Sequence, residues 1–111
     1  MVAPGTASSK DTAAASVWVE RMVAKFRVSF QAEVEVIGAD LQREVDAGEW
    51  KRVGKLAHET KNSADLIGAS RLADRLKQLE EAIGRGRGRE VLRAHDAVQM
   101  ELRNWSQPRT E

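Results

Sequence analysis

The sequence predicts an all-α protein, an up-down-up-down four-helix bundle with a short N-terminal capping helix. Its two prolines, Pro4 and Pro108, lie near the ends of the chain, and the interior is rich in residues with high helix propensity. Along each long segment, apolar residues recur in steps of three and four. Short connectors join these segments, so neighbouring helices are expected to pack antiparallel in a bundle.

The helical domain is predicted to span residues 15–107, a length that fits one domain. Residues 1–14 are small and polar and include Pro4 and Gly5, so they are predicted to be a flexible leader or linker. Residues 108–111 are predicted to be a tail. Such a leader suits a linker between two domains as well as the free end of a protein.

The first apolar pattern is too long for one typical globular helix. It begins with Trp18, after Ser16 as the predicted N-cap, and continues to Val45. A short helix followed by a longer one is therefore predicted. The bend between them is expected at residues 25–29, although neither glycine nor proline marks it.

Glycines are predicted to end the remaining helices. Gly48 ends the second helix, and the third runs from near Glu49 to Gly68. Residues 84–88 contain three glycines and are predicted to form a flexible connector between the fourth and fifth helices. The predicted core residues are Met22, Phe26, Phe30, Val34, Ile37, Leu41, Val45, Val53, Ala57, Thr60, Ala64, Ile67, Leu72, Leu76, Leu79, Ile83, Val91, His95, Val98, Met100 and Leu102, with Trp18, Trp50 and Trp105 packed near the bundle ends.

Composition excludes several kinds of function. The chain has no cysteine, so disulfides, thiolate metal sites and cysteine catalysis are excluded. Its two histidines do not suggest a dedicated transition-metal site. No apolar run approaches the ~20 residues that span a bilayer, and the N-terminus lacks the features of a signal peptide. A net charge of +1 gives no general attraction to nucleic acid or membrane, and a cytoplasmic location is expected.

His58 lies outside the apolar stripe of the third helix. At ~100° per residue, the centre of that stripe is ~130° away from His58. The residues within ~60° of it form what we call the His58 face. They are Lys51, Gly54, Lys55, Lys61, Asn62 and Asp65. Gly54 in a helix interior costs ~1 kcal/mol relative to alanine, and the close approach of another surface would explain that cost.

The pattern A-H-x-x-K-x-S-A-x-x-I-G-A-x-x-L, followed by L-x-x-L-E, resembles the histidine-containing phosphotransfer (HPt) domain. Two positions depart from the usual pattern of the family: Thr60 stands in place of leucine, and Asn62 in place of glycine or another small residue. The matching residues are Ala57, His58, Lys61, Ser63, Ala64, Ile67, Gly68, Ala69, Leu72, Leu76, Leu79 and Glu80.

The resemblance implies a phosphocarrier without kinase activity of its own. His58 would accept a phosphoryl group from the aspartyl phosphate of a receiver domain and pass it to another receiver aspartate. Lys61 would contact the phosphoryl oxygens, and Glu80 would hydrogen-bond His58 and fix its tautomer. The domain would need no cofactor, because Mg²⁺ belongs to the receiver. As an isolated domain it is expected to be a monomer. The resemblance is compatible with a free-standing protein and with the C-terminal domain of a hybrid sensor histidine kinase.

The His58 face is expected to contact the receiver. Its lysines, Lys51 and Lys55 among them, would complement an acidic pocket. Gly54 and Asn62 would line the contact together with Asp65. Leu66, ~80° round the helix from His58, would supply an apolar part.

Two other kinds of function stay open at this stage. The chain could be a helical adaptor or dimerisation module in which His58 is idle or belongs to a degenerate phosphotransfer site. Alternatively, the arginines of residues 85–89 could bind nucleic-acid phosphates, although no base-reading motif accompanies them. His95 lies on the apolar repeat of the last helix and is interpreted as a half-buried structural histidine.

Overall fold

Four α-helices make up the described part of the chain. The computed structural model describes residues 4–106, with side chains from residue 16 onward. Helix α1 comprises Pro4–Asp46, α2 Trp50–Leu66, α3 Ser70–Arg85 and α4 Gly88–Ser106. Helix α2 packs against α1 and α3, and α4 packs against the same two helices from the other side. The predicted all-α four-helix bundle is confirmed.

The core lies where the apolar stripes of the four helices meet. Most of the predicted stripe positions are buried, including Leu41 of α1, Val53 of α2 and Leu76 of α3, none of which is measurably exposed. Trp105 packs edge-on against Phe30, with ring centroids 5.7 Å apart. The periodicity of the sequence therefore predicted the inward faces of α2, α3 and α4 well.

Glycines with positive φ lie in the three turns, as the helix stops require. Gly48 and Gly68 have φ of 68° and 74°, which confirms the two predicted stops. The third turn is shorter than predicted. Helix α3 continues through Gly84 to Arg85, Gly86 adopts φ 69° as the C-cap, and α4 begins at Gly88.

The prediction of a separate capping helix is wrong, because α1 is continuous from Pro4 to Asp46. No glycine or proline interrupts residues 25–29, so nothing there breaks the helical hydrogen-bond ladder. The helix begins inside the segment assigned to a leader, but whether that segment is separable from the domain stays a prediction. Residues 1–3 and the predicted tail at 108–111 lie outside the described residues.

The N-terminal part of α1 extends past the other three helices. At about 1.5 Å per residue, its 43 residues span ~65 Å, whereas the 17 residues of α2 span ~26 Å. Arg27 donates a hydrogen bond of 2.9 Å to the Ile67 carbonyl at the α2–α3 turn. Before this point α1 has left the bundle, which is why Trp18 and Phe26, both predicted to pack, are 62% and 46% exposed.

Two further packing predictions are wrong. Trp50 is 39% exposed at the first position of α2, and Met100 is 63% exposed on the outer face of α4. Both residues are large and apolar, but a large apolar side chain does not by itself identify a buried position.

A buried polar cluster joins α1 to α4. His95 is 2% exposed, and its Nε2 lies 3.0 Å from Nε2 of Gln99. The same amide nitrogen donates to the Gly38 carbonyl at 2.8 Å. An amide nitrogen only donates, so His95 Nε2 accepts and the ring proton is on Nδ1. Burial lowers the pKa of His95 below its ordinary value, against the opposing effect of Asp96 and Asp46.

Candidate functional site

His58 lies on the outer surface of α2, about midway along the helix. Its side chain is 60% exposed. The residue before it, Ala57, is fully buried, and so is Val53 one turn earlier. Packing of these residues fixes the rotation of α2 about its axis, so the imidazole is held outward by the core beneath it.

A carboxylate from α3 contacts the imidazole. Glu80 Oε2 lies 3.3 Å from His58 Nδ1, across 22 positions of sequence. Because a carboxylate only accepts, this contact favours the tautomer with the proton on Nδ1, which leaves a lone pair on Nε2. The other oxygen of the carboxylate, Glu80 Oε1, is buried without a hydrogen-bond partner among the described groups.

Lys61 lies one turn beyond His58 and is paired with a neighbour. Its Nζ is 3.7 Å from Asp65 Oδ2, an i,i+4 ion pair in which Lys61 is 27% and Asp65 56% exposed. The ammonium group therefore lies on the His58 face, in contact with another residue of that face.

The other predicted contact residues share this surface. Lys51, Lys55, Asn62 and Leu66 are all exposed, Leu66 by 53%. Gly54 is half-buried, and a Cβ placed on it would meet only Ile83 Cδ1, at 4.0 Å. The structure thus brings all nine predicted site residues to the surface of α2 and the facing edge of α3.

Thr60, one of the two departures noted in the sequence, is accommodated inside the core. It is 6% exposed, and its hydroxyl donates to the Leu56 carbonyl at 2.7 Å. The buried hydroxyl is therefore satisfied within α2 itself. Ser63 makes the same kind of bond to the Glu59 carbonyl at 3.3 Å.

The arginines of the α3–α4 turn are engaged with a carboxylate. Arg85 Nε lies 3.0 Å from Glu90 Oε2, and Arg87 Nη1 lies 3.4 Å from Glu90 Oε1. The hydrogen bond from Arg85, assisted by the charges of both arginines, lowers the pKa of Glu90. Two of the cations considered for nucleic-acid binding thus already share an anion.

Neither a metal cluster nor a membrane span is found in the part of the chain that the structure describes. No group of three or more histidine, aspartate or glutamate side chains there could hold a metal ion. None of the helices described is both long and apolar enough to pass through a lipid bilayer.

The fold and the site define a helical bundle that presents a single hydrogen-bonded histidine on its outer surface. The sequence model of the Hpt domain family matches residues 21–107, and the chain belongs to this family. Neither a curated protein nor a solved structure matches the chain. Membership implies a phosphotransfer role in two-component signalling and interaction with receiver domains. Hpt domains are phosphocarriers that lack autonomous kinase activity.

Sequence reasoning missed two contacts. Gln99 was not recognised as the partner of His95, although its i,i+4 spacing on α4 was a usable signal. Ile83 was assigned to the core, whereas it is half-buried and lies beside Gly54 at the edge of the His58 face. No pattern within α3 alone reports that contact, because it depends on how α2 and α3 are aligned.

Proposed function

We propose that His58 is the phosphoryl acceptor of this Hpt domain and that it relays the group between receiver aspartates. The observation that carries the proposal is the exposed imidazole with Nδ1 against Glu80, 3.3 Å away. That arrangement leaves the Nε2 lone pair as the nucleophile on the solvent side of the bundle.

The transfer step uses only that lone pair. Nε2 of His58 attacks the phosphorus of an aspartyl phosphate, an N–P bond forms, and the P–O bond to the aspartate breaks. The electron pair of the broken bond leaves with the aspartate as a carboxylate. The ring keeps its Nδ1 proton and gains positive charge, which the carboxylate of Glu80 stabilises. The reverse step delivers the group to a second aspartate, so direction depends on the partners.

Lys61 stabilises the transferred group. Its ion pair with Asp65 at 3.7 Å lies at the surface, with Lys61 half-buried and Asp65 exposed, and surface pairs contribute only ~0–1 kcal/mol. A phosphoryl group with greater negative charge can therefore attract the ammonium from Asp65 to its own oxygens. Positioning and charge stabilisation of this kind supply most of the catalysis in phosphoryl transfer.

The receiver docks on the His58 face. Lys51 and Lys55 complement the acidic pocket of the receiver, which holds the Mg²⁺ that this chain does not need to bind. Gly54, Asn62 and Asp65 line the contact, and exposed Leu66 supplies an apolar contact. We further propose that the domain is cytoplasmic, monomeric in isolation, and either free-standing or part of a hybrid kinase.

The rival proposals differ from this one at identifiable residues. Binding of nucleic acid through residues 85–89 is disfavoured because no base-reading motif accompanies these arginines and the net charge of the chain is only +1. A helical adaptor without phosphotransfer would keep the same fold but would have no use for the contact between His58 and Glu80.

Incubation with phosphorylated receiver domains from the same genome tests the proposal. The expected product is a phosphoramidate on the chain, which is labile in acid and stable in base, and peptide mapping should locate it at His58. No labelling by any receiver would favour the adaptor. Labelling at another residue would show that the site is misassigned.

A further inference from the structure

Two glycines inside helices have no evident structural reason to be glycine. Gly54 lies in the interior of α2 and Gly84 in the last turn of α3. Neither is among the glycines with positive φ, so alanine could adopt the same backbone conformation. Glycine is a much poorer helix former than alanine, and each therefore weakens its own helix.

Packing does not require these glycines either. A Cβ on Gly84 would meet nothing within 4 Å, and one on Gly54 would touch only Ile83 Cδ1 at 4.0 Å, an ordinary contact. Gly38 is the contrasting case, since its Cβ would come within 2.9 Å of Gln99 Oε1. The fold explains Gly38 and leaves Gly54 and Gly84 unexplained.

Their positions relate them to the proposed acceptor. Gly54 precedes His58 by one turn of α2, and Gly84 follows Glu80 by one turn of α3. Consecutive helices joined by a short turn run antiparallel, so both glycines lie on the same side of the His58–Glu80 pair. That side faces the turn between α3 and α4. Half-buried Ile83 lies beside Gly54 and provides an apolar floor.

The opposite side of the pair is more crowded. One turn beyond His58 stands the exposed side chain of Asn62, followed by the Lys61–Asp65 ion pair and by Leu66, which is 53% exposed. A rigid partner that approaches His58 meets the side chain of Asn62 one turn away on this side, and the bare backbone of Gly54 one turn away on the other.

We propose that the receiver docks asymmetrically, with its main contact on the surface formed by Gly54, Ile83 and Gly84, which we call the glycine seat. The inference rests on the proposed function of His58. Charge identifies the partner surface as acidic, because Lys51 and Lys55 flank Gly54 and neither has a carboxylate within 4.0 Å in the described part of the chain. The missing side chains let a partner helix or loop come close to α2 and α3.

The test uses substitutions that should strengthen the fold and weaken the contact. Gly54→Ala and Gly84→Ala should each raise the melting temperature, by roughly 2–6 °C, because alanine is the better helix former. Each should also weaken binding of a receiver that phosphorylates the wild-type chain, by about tenfold, because an added methyl group obstructs a close contact. Gly88→Ala is the matched control, since its Cβ also meets nothing within 4 Å and α4 does not pack against α2.

Affinity by titration and melting by circular dichroism are measured on the same samples. A higher melting temperature with unchanged receiver affinity in both variants would overturn the proposed docking on the glycine seat. An equal loss of receiver affinity in Gly88→Ala would overturn it as well. Failure of either seat variant to fold would contradict the open space on which the inference depends. A wild-type chain that no receiver phosphorylates would instead remove the proposed function, and the seat with it.

Discussion

The two histidines of the chain occupy opposite environments on helices of similar length. His58 is exposed on α2 and contacts a carboxylate, whereas His95 is buried on α4 and contacts an amide. In both cases the contacting side chain, a carboxylate or an amide, fixes which ring nitrogen carries the proton. The difference lies in exposure, since the His58 side chain is 60% exposed and His95 is 2% exposed. The angular position of a histidine relative to the apolar stripe thus separates an imidazole available for chemistry from one used for packing.

The substitution with the largest expected effect on phosphoryl acceptance is at His58. His58→Gln should abolish phosphoryl acceptance, because the amide has no nucleophilic nitrogen, and should leave the melting temperature nearly unchanged, because the side chain is 60% exposed. Labelling by a phosphorylated receiver and a thermal melt measure the two effects. His95→Gln is the control, and it should still accept the phosphoryl group.

Glu80→Ala should separate orientation from nucleophilicity. Without the carboxylate, the tautomer and angle of the imidazole are no longer fixed, and acceptance should slow by roughly ten- to hundredfold. Stability should not fall, because the substitution also removes the buried unpaired oxygen Oε1. The pH profile of the acceptance rate should change as well, which loss of a merely structural side chain would not cause. An unchanged rate and profile would show that Glu80 does not position His58.

His95→Gln tests the other half of the comparison. The buried imidazole fills part of the α1–α4 interface and accepts a bond from Gln99, so its replacement should cost about 1–3 kcal/mol of the free energy of unfolding. Denaturant unfolding measures the loss. If His95→Gln removed acceptance while His58→Gln kept it, the assignments of the two histidines would be reversed.

The pH dependence of stability should also follow His95. Burial lowers its pKa in the folded state below the ordinary value of 6.5, while Asp96 and Asp46 oppose the shift. The unfolded chain therefore binds more protons than the folded chain as the pH falls below 6.5. The contribution of neutral His95 to the free energy of unfolding is complete above that pH. It is lost as the pH falls from there towards the folded-state pKa.

Unfolding free energies at about pH 7.5 and pH 5.5 measure this loss, whose slope for one proton cannot exceed about 1.4 kcal/mol per pH unit. His95→Gln should show a weaker dependence over the same interval. If the free energy of unfolding of His95→Gln depended on pH as in the wild type, the dependence would be assigned to carboxylates elsewhere and not to His95.

The sequence predicted correctly that His58 is exposed and that His95 is structural, because each depends on a local period, but His95 is 2% exposed rather than half-buried. Prediction from the sequence failed where burial depends on contacts with other helices. The apolar residues from Trp18 to Phe26 continue the core stripe of α1, yet the other three helices end before reaching them. Likewise, glycine at position 84 indicated a break, but a single glycine only weakens a helix, and α3 continues through it to Arg85.

The smallest expected effect concerns Asn62, on the crowded side of His58. The family usually keeps a small residue there, and here an exposed amide stands one turn beyond the proposed acceptor. The amide either obstructs every receiver or hydrogen-bonds a particular one. We expect selectivity, because the open side at Gly54 leaves room for the receiver to shift away from an obstruction.

Asn62→Gly should therefore slow transfer with the native receiver and speed it with foreign ones. Glycine inside α2 should also cost ~0.5–1 kcal/mol, so transfer rates must be compared where both proteins are folded. Asn62→Ala is the matched control, since it removes the same amide with little loss of helix stability. A uniform gain in rate, native receiver included, would show that Asn62 only obstructs. A loss confined to the native receiver in both variants would show that the Asn62 amide selects the partner.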